Sequence, residues 1–218
     1  RTAQQTFTSV ELNVDMAGRE VNLLYPDFSG EDIQAIVRGR RVLPKWERAI
    51  QESDHWLLFI RPNQLKIPYS HAVRAIAANS QVEIQEGESA GQDLNSLTDS
   101  NFFIELIQMF LYMKGLGMQK ALKRPRLSIM LSCWDEFETE LTPPELLKDK
   151  LPMLEQFLHH LWDPPSIQIF GLSAQGRTLT DEVDEQYIEK SPEEQGFLIL
   201  PDGKRVSELS TPIADLFR

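Results

Sequence analysis

The sequence predicts an α/β fold with a three-layer, mostly parallel sheet, and two observations lead to this prediction. The first is a set of short, almost wholly apolar runs at His55–Ile60, Leu127–Leu131 and Ser166–Phe170. Such runs are typical of central parallel strands that are covered on both faces. The second is the helical material between them, whose longest stretch extends from about Asp99 to Met118. Strands that alternate with helices indicate a mainly parallel sheet.

The composition is that of a soluble globular protein and excludes several classes of function. Of 218 residues, 41% are hydrophobic and 25% are charged, and the net charge is −11. A nucleic-acid binder or a protein held on an anionic membrane needs a basic surface, so we expect neither kind of partner. The most apolar run, Asn101–Met113, is too short to span a bilayer. The single cysteine, Cys133, permits no disulfide within the chain and favours a cytoplasmic location.

The first elements in chain order are two strands that form a hairpin. Residues Thr8–Val14 alternate apolar and polar side chains, which is the pattern of a half-buried strand. Met16–Arg19 has the composition of a turn, and Glu20–Tyr25 follows as the second strand, so the pair reads as an antiparallel hairpin. A loop that begins at Pro26 then leads into helical material ending near Glu52.

The later elements enlarge the fold at two places. Polar residues dominate a segment at about residues 79–98, which we expect to be an inserted loop. Thr142 and Glu145 have the spacing of a capping box and predict the start of a helix. After residue 178, a turn at Pro201–Gly203 separates two short strand-like segments. We interpret residues 1–218 as a single domain that carries the insertion and a C-terminal extension at 178–218.

Three short motifs stand at the ends of predicted strands, where ligands bind in open α/β sheets. They are Asp27-x-x-Gly30, Ser132-Cys133-Trp134-Asp135 and Gly171-Leu172-Ser173-Ala174-Gln175. Each motif alone is a weak signal, because a pattern such as Asp-x-x-Gly most often marks only a turn. Together, and in this order, they resemble the motifs of Ras-like GTPases of the translation-factor-related class. The resemblance covers roughly Thr2–Arg177.

The resemblance implies a Ras-like sheet that binds GTP or GDP together with Mg²⁺. In relatives, the aspartate at the place of Asp27 holds the magnesium through water, and the amide at the place of Gly30 meets the γ-phosphate. Glu31 stands where many relatives have the glutamine that orients the attacking water. Glu31 is therefore the candidate catalytic residue, although its negative charge disfavours efficient hydrolysis. By spacing, Thr2 and Thr6 are the candidates for the magnesium-binding threonine of the switch, and we prefer Thr2.

The motif that recognises the base is matched in part. Asp135 corresponds to the carboxylate that accepts the N1–H and the exocyclic amine of guanine, a pair of donors that adenine lacks. Ser132 replaces an asparagine and Cys133 replaces a lysine, so the pocket loses polar contacts and a stacking stem. Trp134 and Phe137 are close in sequence, and they either stack on the purine or pack in the core.

The third motif completes the set of candidate base-binding residues. Ser173 and Ala174 match the family motif whose backbone supports the guanine carbonyl, while Gln175 stands at the place of a lysine. The resemblance therefore implies that Ser132, Asp135, Ser173 and Ala174 bind the base.

The phosphate-binding motif G-x-x-x-x-G-K-[ST] is absent from the sequence. Its nearest match, Lys114–Lys120, stands at a helix end, and we interpret it as a glycine C-cap. In Ras-like proteins the strand before this P-loop lies between the strand that precedes Asp27 and the one at His55–Ile60. Without it, two strand edges and two apolar faces stay open. We expect the strand to come from a segment preceding Arg1, which we favour, or from a partner protein. By itself the chain should not hydrolyse GTP.

Three further features resemble a narrower group, the bacterial double GTPases associated with conflict and defence gene clusters. They are the base motif at Ser132–Asp135, the insertion before the long helix, and the strand–turn segment at Gly196–Val206. Our first hypothesis is a guanine-nucleotide switch that hydrolyses GTP with Mg²⁺ when the domain is complete. The second is a degenerate scaffold without catalysis, favoured by Ser132, Cys133 and Glu31. A third, a flavodoxin-like domain, predicts an acidic cluster at the first strand end, and the sequence lacks one there.

Overall fold

A computed structural model describes residues 9–16, 19–26, 30–42, 44–65, 99–117, 120–178, 187 and 191–216. Its first two strands are β1 (Ser9–Met16) and β2 (Arg19–Pro26). They pair antiparallel, with Met16 opposite Arg19 at the end of the ladder, and this confirms the predicted hairpin. The predicted inserted loop at 79–98 lies outside the described residues.

A five-stranded sheet forms the centre of the fold. Its strands, in spatial and chain order, are β3 (His55–Ile60), β4 (Arg126–Ser132), β5 (Ile167–Ser173), β6 (Phe197–Ile199) and β7 (Arg205–Val206). The first three run parallel to one another, and β6 and β7 each join antiparallel. The prediction of an α/β fold is therefore confirmed. The sheet is mixed because the strands of the C-terminal segment extend it beyond β5.

Helices connect and cover these strands. They are α1 (Gly30–Gly39), α2 (Pro44–Glu52), α3 (Asp99–Met113), α4 (Pro143–Lys150), α5 (Pro152–Leu161), α6 (Pro192–Gln195) and α7 (Thr211–Leu216). The predicted capping box begins α4, where the carboxylate of Glu145 accepts the backbone N–H of Thr142 at 2.8 Å. This hydrogen bond lowers the pKa of Glu145 below its usual value. No helix in the described ranges is long and apolar enough to cross a membrane.

Helix α3 ends five residues earlier than predicted, at Met113 rather than Met118. Gly115 adopts a left-handed conformation with φ of 74°. Its N–H bonds to the carbonyl of Tyr112, and the N–H of Leu116 bonds to the carbonyl of Leu111. These two bonds form the Schellman arrangement that closes a helix. The interpretation of Lys114–Lys120 as a glycine C-cap is thus confirmed for the part of it that the structure describes.

One face of the central sheet is covered by helices. Alternate side chains of the three parallel strands point to this face, and most are buried with residues of α3, α4 and α5. The members from β4 and β5 are Leu127, Ile129, Leu131, Ile167 and Ile169, all at most 7% exposed. Helices α1 and α2 extend the layer by packing Ile36, Trp46 and Ile50 against Leu106 of α3.

The other face is covered unevenly. On β4, β5 and β6, the side chains of Met130, Phe170 and Leu198 are buried beneath residues that follow β6. On β3, Phe59 pairs in register with Met130 and so shares this face, but 57% of its surface is exposed. Leu57 on the same face of β3 is 37% exposed. Within the described part of the chain, no strand pairs with the outer edge of β3, and β1 with β2 forms a separate sheet.

Candidate functional site

The second and third motifs meet at one edge of the central sheet. Strands β4 and β5 are parallel neighbours, and Ser132 at the end of β4 pairs in register with Leu172. The residues that follow Ser132 therefore emerge beside Ser173, the last residue of β5. This is the carboxyl edge of the parallel strands, which is where ligands bind in sheets of this kind.

Asp135 and Ser173 are in direct contact there. The hydroxyl of Ser173 donates a hydrogen bond to Oδ1 of Asp135 over 2.5 Å. Ser173 is fully buried, and its oxygen in turn accepts the backbone N–H of Gly176 at 2.8 Å. A buried hydroxyl with one donor and one acceptor partner has a fixed orientation. It consequently fixes the orientation of the partly exposed carboxylate of Asp135 as well.

Asp135 stands on a short 3₁₀ turn that a neighbouring tryptophan anchors. The turn spans Trp134–Glu136 and is preceded by Cys133 in a left-handed conformation. Trp134 is buried, and its indole lies so close to Gly171 of β5 that a Cβ at that glycine would overlap the ring. Phe137 is half-buried and packs beside Trp134, with 6.1 Å between ring centroids. Of the two roles open from the sequence, both aromatic side chains therefore take the packing role.

Ser132 has a bonding partner on the neighbouring strand. Its hydroxyl donates to the backbone carbonyl of Ile60, the last residue of β3, at 3.2 Å. The hydrogen bond ties the ends of β3 and β4 together at the edge that carries Asp135. As a candidate base-binding residue, Ser132 is thus placed at the site edge with its hydroxyl proton directed to the protein.

A further contact at this edge was missed in the sequence. The carboxylate of Glu136 accepts hydrogen bonds from Arg61 at 2.5 Å and from Asn63 at 2.9 Å. The amide of Asn63 and then the guanidinium of Arg61 hold the pKa of Glu136 below its usual value. The link is therefore complete above the ordinary pKa of a glutamate and is lost as the pH falls through the lowered one. Arg61 and Asn63 are the first and third residues after β3, so only the neighbouring positions of two strand ends could have indicated the contact.

The loop after β5 presents Ala174 and Gln175 to solvent. Both are exposed, whereas Gly176 behind them has a positive φ of 75°. A Cβ at Gly176 would overlap the backbone carbonyl of Gln195, which precedes β6. The loop therefore sits directly against the C-terminal segment, and glycine is required for that close approach.

Comparison with known protein families identifies the chain at this point. A family model described as Double-GTPase 1 matches residues 1–216. The chain belongs to this family. The comparison with curated proteins and the comparison with solved structures each find no match. The family match confirms the resemblance to double GTPases that was drawn from the base motif, the insertion and the C-terminal segment.

The candidate phosphate and metal residues of this double-GTPase domain lie mostly beyond the described residues. Thr2, Thr6 and Asp27 are all outside them. Gly30 is the first residue of α1 and Glu31 the second, and their backbone alone is described. Across the described ranges, no group of three or more histidine, cysteine, aspartate or glutamate side chains is arranged to hold a metal ion. Of the three motifs, the structure therefore describes the side chains of the second and the third, at Ser132–Asp135 and Gly171–Gln175.

Proposed function

We propose that this double-GTPase domain is a guanine-nucleotide-dependent switch with a Ras-like arrangement of motifs. It binds GTP and GDP with Mg²⁺, and it hydrolyses GTP when the domain is complete. The observation that carries the proposal is the hydrogen bond between Ser173 and Asp135 at the carboxyl edge of the sheet. It joins two motifs that are 38 residues apart in the chain and that both belong to base recognition in Ras-like proteins.

The chemistry of Asp135 fits a guanine. A carboxylate has about four lone-pair positions and no proton to donate near neutral pH. The hydroxyl of Ser173 occupies one lone-pair position on Oδ1 of Asp135, and the hydroxyl oxygen of Thr178 lies 3.5 Å from Oδ2. Each oxygen keeps capacity for one more donor, and guanine offers two adjacent donors on its N1 and its exocyclic amine. Adenine offers an acceptor at N1, which would face the carboxylate unfavourably.

The neighbouring loop supplies a complementary group. Ala174 is exposed next to Ser173, and a backbone N–H at this point can donate to the guanine carbonyl. A site that combines an acceptor pair from Asp135 with a donor from the Ser173–Ala174 backbone matches the whole polar edge of guanine. We therefore assign Asp135, Ser173 and Ala174 to base recognition, with Ser132 bordering the same site.

We assign the phosphate half of the site to the first motif and the residues before it. Asp27 and one of Thr2 and Thr6 would hold Mg²⁺, and the amide of Gly30 would meet the γ-phosphate. Mg²⁺, when bound, would neutralise charge that develops on the phosphate oxygens. Glu31 would contact the attacking water as a hydrogen-bond acceptor, and its charge predicts slow hydrolysis.

We further propose that another strand completes the sheet. The uncovered apolar side chains of Leu57 and Phe59, and the separation of the β1–β2 hairpin from β3, support a missing strand between them. An unpaired strand edge is a template for pairing with another segment. We propose that the strand and the P-loop come from a preceding segment of the protein, or alternatively from a protein partner.

The proposal also covers the domain organisation of the chain, its cellular location and its biological role. We propose that residues 1–218 form one GTPase-like domain, with an insertion near 79–98 and a C-terminal extension at 178–218. We also propose a cytoplasmic location and a role in bacterial defence, in keeping with the resemblance that suggested the double-GTPase group. The proposed function involves neither a nucleic-acid partner nor insertion into a membrane.

Hydrogen exchange of the full-length protein tests the switch and the added strand together. With Mg²⁺, a non-hydrolysable GTP analogue should slow amide exchange in peptides covering Asp27–Glu31 relative to GDP. We expect this difference because contacts with the γ-phosphate order the switch residues, and GDP lacks that phosphate. Peptides covering His55–Ile60 should be protected from exchange in the full-length protein with either nucleotide. The same peptides should exchange faster in the 218-residue chain alone, because the outer edge of β3 is unpaired there. Peptides covering α5 serve as the control, since α5 packs on the opposite face.

The second candidate function is a GTPase-like scaffold without catalysis. It is favoured by the hydroxyl of Ser132, which bonds to Ile60 rather than facing the base, and by the substitutions at Cys133 and Glu31. Identical exchange in the presence and absence of nucleotide would support the scaffold and contradict the switch.

A further inference from the structure

In the loop after β5, the peptide group between Gln175 and Gly176 is hydrogen-bonded through both its carbonyl and its N–H. The hydroxyl of Tyr187, in the C-terminal extension, donates to the carbonyl oxygen of Gln175 at 2.8 Å. The N–H of the same peptide group belongs to Gly176 and donates to the hydroxyl oxygen of Ser173 at 2.8 Å. Since Ser173 then donates to Asp135, the contacts form one continuous chain of hydrogen bonds. It runs from the extension to the carboxylate.

Tyr187 is itself fixed at several points. The guanidinium of Arg177 lies over its ring, 4.2 Å from the centroid, and such cation–π contacts are attractive. The side-chain amide of Gln195 donates to the backbone carbonyl of Tyr187 at 3.2 Å. Gln195 also packs its backbone carbonyl against Gly176. The extension therefore contacts the loop on two sides, through Tyr187 and through the residues before β6.

The common direction of these hydrogen bonds affects the carboxylate of Asp135. Every hydrogen bond points the same way, from Tyr187 through the Gln175–Gly176 peptide group and Ser173 to Asp135. Hydrogen bonds aligned in series polarise one another and strengthen. The hydroxyl of Ser173 is thus held as a donor toward Asp135, and the carboxylate is left with its remaining lone pairs for an external pair of N–H donors.

We propose that Tyr187 is a positioning residue for base discrimination, acting on Asp135 through the Gln175–Gly176 peptide group and Ser173. The proposal rests on the proposed guanine-nucleotide site and adds the C-terminal extension to it. The extension then determines how strongly the site distinguishes bases that carry a 2-amino group from bases that lack it.

The test compares GDP with inosine diphosphate, which lacks the exocyclic amine and so loses one donor to Asp135. Binding of both, and of ADP, is measured by calorimetry on the full-length protein and on its Y187F variant. Tyr187→Phe removes the hydroxyl and keeps the ring beneath Arg177. We expect the preference for GDP over inosine diphosphate to fall about threefold to tenfold, the range set by one intramolecular hydrogen bond. Tyr112→Phe, at a side chain that is 79% exposed on α3, should leave it unchanged.

The possible outcomes distinguish a failure of the proposed guanine site from a failure of the positioning role of Tyr187. If the wild-type protein does not prefer GDP to ADP, the guanine site is wrong, and the role of Tyr187 is wrong with it. If that preference is present but Y187F weakens GDP and inosine diphosphate equally, Tyr187 only stabilises the loop, and the positioning role is overturned. A lower melting temperature of Y187F with an unchanged preference leads to the same conclusion.

Discussion

Replacing Asp135 by asparagine is expected to lower the affinity of the full-length protein for GDP about 100-fold, because two hydrogen bonds to a charged acceptor are lost. Asparagine keeps an oxygen that can accept the hydroxyl of Ser173, so the fold of the turn and the loop is retained. Its amide group presents N–H donors where guanine also presents donors. The free energy of binding therefore changes through the base contact rather than through unfolding.

The same substitution should reverse the choice of base. Xanthine carries a carbonyl where guanine carries the exocyclic amine, so it can accept a hydrogen bond from the asparagine amide. We expect the variant to bind xanthosine diphosphate more tightly than GDP, as measured by calorimetry with Mg²⁺. Asp149→Asn, at an exposed position of α4, is the matched control and should change neither affinity. Unaltered GDP binding by the Asp135 variant would remove this carboxylate from the site.

Replacing Gly176 by alanine is expected to lower the free energy of unfolding by about 3 kcal/mol, the sum of backbone strain and steric overlap. The backbone φ of +75° disfavours any residue with a Cβ, and that Cβ would overlap the carbonyl oxygen of Gln195. The obstacle is backbone rather than the end of a flexible side chain, so the loop must move away from Gln195. Since the N–H of Gly176 bonds to Ser173, the movement should also weaken the contact between Ser173 and Asp135.

Gly115 offers a control that separates the two causes. Its φ of +74° is nearly the same, but nothing lies within 4 Å of a Cβ placed there. Gly115→Ala should therefore cost only the left-handed backbone penalty, about 1 kcal/mol. Chemical denaturation of both variants measures the difference. Equal losses of stability would show that the loop accommodates the side chain and that its packing against Gln195 is not tight.

The parallel strands, and the position of the second and third motifs at strand ends, could be predicted from the sequence. Strand β3 was predicted with its observed bounds because its residues form a continuous apolar run, which is typical of a parallel strand. The accompanying expectation that both of its faces are covered does not hold in the described structure, where Leu57 and Phe59 are exposed. Once β4 and β5 are parallel neighbours, Asp135 and Ser173 must emerge at the same edge. That consequence follows from topology alone.

The contacts that the sequence did not reveal depend on the packed structure. The link from Arg61 to Glu136 joins residues 75 positions apart, and no local pattern marks either as a partner of the other. Trp134 packs rather than facing a ligand because Gly171 leaves room for its indole, which is visible only when β5 lies beside the turn. The two short strands around the Pro201–Gly203 turn were predicted and are observed as β6 and β7. Their antiparallel addition to the sheet beside β5 was not predicted, because it depends on packing rather than on a local pattern.

Calorimetric titration of the full-length protein with GDP and with ADP, each with Mg²⁺, tests the central claim most directly. The acceptor pair on Asp135, oriented by Ser173, should make GDP bind at least about 100-fold more tightly than ADP, because adenine leaves the carboxylate facing an acceptor. Equal affinity for the two nucleotides, or no binding of GDP, would contradict a guanine site at this edge of the sheet.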